Sequence, residues 1–195
     1  MMQSLYTAST GMLGMQTQID TTANNIANVN TIGFKKSRAE FADLMYQVME
    51  YAGTSTSDTT KSPTGIEVGL GVRATAINKI FSEGSLKQTD NQLDMAITGR
   101  GFFKMELPDG TQVYSRNGAF KVDDNGTVVN SDGYKLIPEV VIPPDATNIS
   151  IGTDGTVTVV QPGQTQATQI GQITLTNFIN PAGLHSMGDN LYIET

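Results

Sequence analysis

Residues 102–137 read FFKMELPDGTQVYSRNGAFKVDDNGTVVNSDGYKLI. Short apolar runs alternate here with Asp109-Gly110, Asn125-Gly126 and Asp132-Gly133, and Asp154-Gly155 follows further along. Asp-Gly and Asn-Gly pairs suit the positive φ of tight hairpin turns, where glycine has no Cβ to clash. The same punctuation bounds candidate strands at Gly71–Ile80, Asp94–Thr98, Phe102–Leu107, Gln112–Ser115, Ala119–Val122, Thr127–Asn130 and Tyr134–Ile137. Further runs lie at Asn148–Ile151, Thr156–Val160, Gln172–Phe178 and Asn190–Glu194. No strand–helix alternation interrupts them, so residues 66–195 are predicted to form an antiparallel β domain.

Upstream the period changes. Leu5, Met12, Ile19 and Ile26 lie seven apart, and Ala8, Met15, Thr22 and Val29 repeat the spacing three residues later. This a/d register predicts a long heptad helix within residues 1–34, ended by Asn28, Asn30 and Gly33. Its flanks are Ser, Thr, Gln and Asn in place of the usual Glu and Lys, with Asp20 the only charge before Lys35. Gly11 and Gly14 each cost about 1 kcal/mol relative to Ala. Such a helix is weak alone and depends on packing, either against its own domain or in an intermolecular bundle. Its depletion of charge is also a property of interface cores.

Residues 35–65 read as a connecting segment. In 35–51, Phe41, Leu44, Met45 and Val48 fit one helical face. Gly53–Gly65 lacks apolar anchors and reads as a loop, or as a segment ordered by a neighbouring subunit. The overall expectation is a mostly β chain with a long N-terminal helix and an extended connection.

Composition narrows the function. The 195 residues include 12 basic and 19 acidic side chains, for a net charge of −7. A broad nucleic-acid footprint needs a basic surplus, so nucleic acid is not an expected partner. Only 16% of residues are charged, against roughly 25% in typical domains. Cysteine is absent, which excludes disulfides, thiolate catalysis and thiolate metal centres. No apolar run approaches the ~20 residues of a membrane-spanning helix. The N-terminus also lacks the basic start and compact apolar stretch of a cleavable signal peptide.

Chemistry is sparse. The single histidine, His185, sits in a turn-like GLHSMGDN context without a legible Ser/Asp constellation. Asp123-Asp124-Asn125-Gly126 lacks the spaced ligands and flanking helices of a calcium loop. Gly69-Leu70-Gly71 and Gly99-Arg100-Gly101 are too short for a dinucleotide fingerprint and fit close backbone approach better. No catalytic residue, metal site or cofactor is expected, and the chain is not read as an enzyme.

Three stretches do form a recognisable set. Ser9-Thr10-Gly11-Met12, continuing through Ala23-Asn24-Asn25-Ile26-Ala27-Asn28-Val29-Asn30-Thr31-Ile32-Gly33-Phe34-Lys35, resembles the N-terminal signature of bacterial flagellar basal-body rod and hook axial proteins. Leu93-Asp94-Met95-Ala96-Ile97-Thr98-Gly99-Arg100-Gly101-Phe102-Phe103 resembles the family's second hallmark. Tyr114-Ser115-Arg116-Asn117-Gly118-Ala119-Phe120, followed by Asp124-Asn125-Gly126, resembles the third. Asn190-Leu191-Tyr192-Ile193-Glu194-Thr195 and the Phe41–Gly65 segment are similar to its distal-rod members in particular.

The resemblance implies a structural subunit that polymerises into a rigid helical tube carrying torque from motor to hook. Leu5, Ala8, Met12, Met15, Ile19, Ile26 and Val29 would form the seam between subunits, with Gly11 and Gly14 permitting close approach. Asn24, Asn25, Asn28 and Asn30 would satisfy polar groups across it. Tyr46, Gln47, Tyr51, Pro63 and Gly65 would belong to a segment bridging neighbours. Implied partners are further copies of the chain, proximal rod and hook proteins, the surrounding basal-body rings and the flagellar type III export apparatus. The implied location is the basal-body rod, crossing periplasm and outer membrane. Family members are longer and close in a second heptad helix, so the partner of the Leu5–Val29 helix is expected beyond Thr195. Within the family a proximal-rod or hook subunit is the alternative. Outside it, the alternative is a monomeric carbohydrate-binding or adhesive β domain, which ligand would stabilise.

Overall fold

The computed structural model describes residues 2–54, 62–163 and 166–195. The chain divides into two compact units. One comprises the residues up to Val29 together with Lys36–Ile80; the other comprises Asn30–Lys35 with Phe81–Thr195.

The first unit opens with helix α1, Met2–Ala27. At 1.5 Å per residue its 26 residues span about 39 Å. Strands β1 (Ser37–Asp43), β2 (Tyr46–Glu50), β3 (Ile66–Gly69) and β4 (Val72–Lys79) follow. β1 pairs antiparallel with β4, with a bulge between Glu40 and Phe41. β2 pairs antiparallel with β3. The helical face expected over Phe41–Val48 is therefore not formed, and the segment is two strands. Its partners lie at residues 66–79, far enough away that a local window could not weigh the pairing. These strands also place residues 66–80 with the helix, whereas the composition grouped them with the β domain. Residues 55–61 of the expected Gly53–Gly65 loop lie outside the described residues. At its described base, Gly53 N–H donates to Ser62 O and Ser62 N–H to Thr54 O, both at 2.8 Å.

The second unit carries β5 (Phe102–Glu106), β6 (Gln112–Ser115), β7 (Lys121–Val122), β8 (Val128–Val129) and β9 (Lys135–Ile137). Then come β10 (Asn148–Ile151), β11 (Thr156–Val160), β12 (Thr168–Gln172), β13 (Leu175–Thr176), β14 (His185–Gly188) and β15 (Leu191–Ile193). An eight-stranded sheet has the order β14-β15-β6-β5-β9-β8-β7, with β13 added beside β5, and β10-β11-β12 form a three-stranded sheet. All four X-Gly signals close turns. Gly110 N–H reaches Leu107 O at 2.9 Å, Gly126 N–H reaches Asp123 O at 2.8 Å, Gly133 N–H reaches Asn130 O at 3.2 Å, and Gly155 N–H reaches Gly152 O at 3.0 Å. These glycines have φ of 82°, 82°, 85° and 79°, the left-handed position of a three-residue hairpin loop.

The alternation of each strand fills two clusters. Phe103, Met105, Val113, Phe120, Leu136 and Val157 are among the residues of the larger. Phe102, Tyr114 and Tyr192 form the smaller, with Phe81, Phe178 and Leu184 against them. Neighbouring residues of one strand point to opposite faces, so Phe102 and Phe103 serve different clusters. Edge-to-face rings join the smaller one, with Tyr114–Phe178 centroids 4.7 Å apart and Phe81–Phe102 5.3 Å apart. Some sequence expectations are modified. Asp94–Thr98 contributes a single bridge, Asp94 to Ala119. Gln172–Phe178 is interrupted after Gln172 and resumes at β13, and β14 is an additional strand.

Candidate assembly surface

The helix carries two stripes with opposite environments. Thr7, Thr10, Thr17, Thr21 and Asn25 are half-buried and Gly14 is buried, a set recurring at helical spacing on the face toward β1 and β4. A Cβ at Gly14 would lie 3.4 Å from Phe41 Cε1 and 3.5 Å from Val72 Cγ1. Glycine thus lets the sheet reach the helix backbone. A Cβ at Gly71 (φ 118°) would collide with Thr10 Oγ1, so the contact is close from the sheet side as well.

Polar residues tolerate this packing because the helix satisfies them itself. Thr7, Thr10, Thr17 and Thr21 hydroxyls donate to the carbonyls of Gln3 (3.1 Å), Thr7 (2.8 Å), Leu13 (3.0 Å) and Thr17 (2.8 Å). Thr10 Oγ1 also meets the sheet, accepting from Val72 N–H at 3.4 Å. Asn25 pins the far end: its Nδ2 donates to Ser37 O at 2.7 Å and its Oδ1 accepts from Ser37 N–H at 2.8 Å.

The apolar heptad stripe faces solvent. Leu5 is 70% exposed, and Ile19 and Ile26 are each 67% exposed. Ala8, Met12, Met15 and Val29 are exposed too. Ala8, Gly11, Met12, Met15, Gln16 and Ile19 border one open groove. Of the two packings that the sequence left open, the seam is thus not the face laid on the helix's own sheet. Among the described residues, the first unit has no fully buried apolar side chain; every residue of the buried core belongs to the second unit.

Individual expectations separate here. Gly11 is open, since a Cβ there would meet nothing within 4 Å. Gly14 and Asn25 make contacts inside the first unit, as described above. Asn28 Nδ2 donates to Asn24 O at 3.0 Å and Asn24 Oδ1 at 2.7 Å, and Asn24 and Asn30 are exposed. Gln47 Oε1 accepts from Gln3 Nε2 at 2.9 Å. Tyr46 lies against Gly69, and a hydrogen bond with Asp43 raises its phenol above the ordinary value. Tyr51 and Pro63 are exposed. A Cβ at Gly65 would approach Glu50 O to 2.5 Å, so this glycine closes the base of the β2–β3 arm.

The hallmark motifs prove to be fastenings within the second unit. Arg116 donates from Nε to Gly101 O at 3.0 Å, from Nη1 to Phe81 O at 3.2 Å and from Nη2 to Gly99 O at 2.9 Å. Its guanidinium carbon lies 5.2 Å from the Phe102 ring centroid, a cation–π distance. Gly99 N–H is held by Glu83 Oε1. Burial lowers the Arg116 pKa most, opposed by Glu83. A Cβ at Gly118 would overlap Met95 O, so the second and third hallmarks interlock. The strap 31–35 joins them: Asn190 Nδ2 donates to Ile32 O at 3.0 Å and Lys35 Nζ to Ser82 O at 2.7 Å. Burial, with Arg116 nearby, lowers the Lys35 pKa.

Sequence reasoning did not single out the Thr stripe or the Arg116 clamp. The stripe was legible as threonines three, four or seven apart; the clamp's acceptors are backbone carbonyls and left no compositional mark. His185 lies exposed on β14 opposite Ile193. Among the described residues no group of His, Asp or Glu is placed to hold a metal. No described helix is long and apolar enough to cross a membrane.

The open face of α1 is apolar, and comparison with known proteins gives the chain its family. Residues 5–35 match the family described as flagella basal body rod protein. Residues 96–159 match the flagellar hook protein FlgE/F/G D1 domain. The flagellar basal-body rod protein FlgG of Buchnera aphidicola subsp. Schizaphis graminum is 50% identical over 195 residues, covering 100% of this chain and 75% of that protein. FlgG of Caulobacter vibrioides is 47% identical over 100% of this chain and 74% of its own length. The flagellar hook protein FlgE of Helicobacter mustelae is 42% identical over only 69% of this chain and 30% of its own length. The rod relatives thus align along the entire chain where the hook protein aligns with part of it, and the chain belongs to the FlgG family of flagellar basal-body rod proteins.

Proposed function

We propose that this chain is a structural subunit of the flagellar distal rod that polymerises into a rigid helical tube transmitting torque from motor to hook. One observation carries the reading: the first unit fully buries no apolar side chain of its own among the described residues, yet displays an apolar heptad seam along α1. Contiguous exposed apolar surface of that kind belongs to an interface. Heterologous contacts with a screw rotation leave the filament open, as a rod requires. The seam is Leu5, Ala8, Met12, Met15, Ile19, Ile26 and Val29, with Gly11 permitting close approach. Asn24, Asn28 and Asn30 supply polar contacts at its end.

The arm from Tyr46 to Gly65, including Gln47, Tyr51 and Pro63, reaches neighbouring copies and stiffens the tube. A two-stranded ribbon is marginal in water by itself, which favours a neighbour for it. Proximal rod and hook proteins lie at the two ends of the polymer, and basal-body rings surround it. A weak helix with Asp20 as its single charge suits export by the flagellar type III apparatus, because such a segment can travel unfolded and gain its stability on assembly.

The test is Ile19→Asp, which sets a charge in the middle of the seam. Self-association, followed by sedimentation velocity across a concentration series, should be lost while the second unit keeps its cooperative urea transition. Association equal to the unsubstituted chain would refute the seam, and loss of that transition would refute the independence of the β unit.

A further inference from the structure

The chain holds nine methionines and no cysteine, so thioethers are its softest nucleophiles. Met12 is 67% exposed and Met15 65% exposed, whereas Met105 is 1% exposed in the larger core cluster. Met12 and Met15 lie one turn apart and border the same open groove with Ala8, Gly11 and Ile19. Susceptibility of a methionine sulfur follows its exposure, and oxidation turns a flexible apolar side chain into a polar one.

We propose that Met12 and Met15 form an oxidation-sensitive site on the seam, at which a hydroperoxide blocks subunit association. The sulfur lone pair attacks the terminal peroxide oxygen, the S–O bond forms and the O–O bond breaks. The thioether loses two electrons and becomes a sulfoxide. The peroxide accepts them and, with hydrogen peroxide, leaves as water after proton transfer. The new S–O group is a strong acceptor, and the groove around it is lined by Ala8, Gly11, Gln16 and Ile19, of which only Gln16 carries a side-chain donor. Closing the seam then carries two strong acceptors out of water into a groove with one side-chain donor, at a penalty of about tenfold in association for each sulfoxide left unpartnered. The inference rests on the reading of α1 as the assembly seam.

The experiment exposes the described chain to hydrogen peroxide, maps sulfoxides by peptide mass spectrometry and measures association by sedimentation velocity. Met12 and Met15 should oxidise before Met105, and association should fall by about tenfold or more. Methionine sulfoxide reductase should restore it, since the modification is reversible. In the Met12→Leu/Met15→Leu variant, the ratio of association after and before treatment should stay near one. An equal loss in that variant would place the sensitive sulfur elsewhere, at Met2, Met45, Met49 or Met187, and overturn the proposal. So would undiminished association of oxidised chain, or oxidation of Met105 as fast as Met12 and Met15. The underlying seam reading fails separately, if untreated chain remains monomeric throughout or if Ile19→Asp associates normally.

Discussion

Gly11 and Gly14 are three residues apart on α1, one on its open face and one against the sheet. Glycine in a helix interior costs about 0.8–1.0 kcal/mol relative to alanine. At Gly11 a Cβ would meet nothing within 4 Å, so Gly11→Ala returns that propensity without steric cost. The helix should gain about 1 kcal/mol, which slows exchange of its amides about fivefold under conditions where opening is rapid. At Gly14 the added Cβ would touch Phe41 Cε1 at 3.4 Å and Val72 Cγ1 at 3.5 Å. Those are ordinary contacts, so alanine is accepted there. Leucine would push β1 and β4 away, at about 1–3 kcal/mol for overpacking.

The two readouts for Gly11→Ala should run in opposite directions: a more stable helix in the subunit, and weaker association where the seam closes on Gly11. Hydrogen exchange on peptides from residues 5–27 gives the first, and sedimentation velocity gives the second. Faster exchange in Gly11→Ala would refute the open environment assigned to that face. Association unchanged or stronger would remove Gly11 from the close-packed part of the seam.

Other consequences concern the second unit. Arg116→Ala removes a partly buried charged donor from three carbonyls, so its urea midpoint should fall by the equivalent of about 2–3 kcal/mol. Gly118→Ala drives a methyl into the Met95 carbonyl; it should cost about 3 kcal/mol or more, with expression of folded protein as the simplest readout. Asp109 and Asp154 accept bonds from Thr111 and Thr156, which hold their carboxyls below the ordinary aspartate value. A depressed folded pKa contributes stability that is present above the unfolded value and lost as pH falls through the folded one. Replacing both residues with Asn should therefore flatten the decline of thermal stability with acidity in that range, and an unchanged acid limb would count against their role.

The local features were legible because their causes are local. Residues 109–110, 125–126, 132–133 and 154–155 announce their turns through the need for a positive φ, and each turn forms where it was expected. The seven-residue period from Leu5 to Val29 announces a helix, which runs from Met2 to Ala27. The resemblance of residues 9–35, 93–103 and 114–120 to axial proteins required only the linear order of side chains.

Tertiary structure decided what lies against what. Periodicity marks an apolar stripe but does not say whether the chain's own sheet or another surface covers it. Here the Thr/Gly stripe takes the sheet, because back-bonded hydroxyls need no further partner and glycine admits close backbone approach, leaving the apolar face open. Phe41–Val48 carries both helical spacing and strand-forming residues. The choice went to strands because the partners at 66–79 complete backbone hydrogen bonds that no short window contains. The roles of Arg116 and Asn190 also appeared only in three dimensions: their partners are carbonyls of Phe81, Gly99, Gly101 and Ile32, and every residue type offers the same carbonyl.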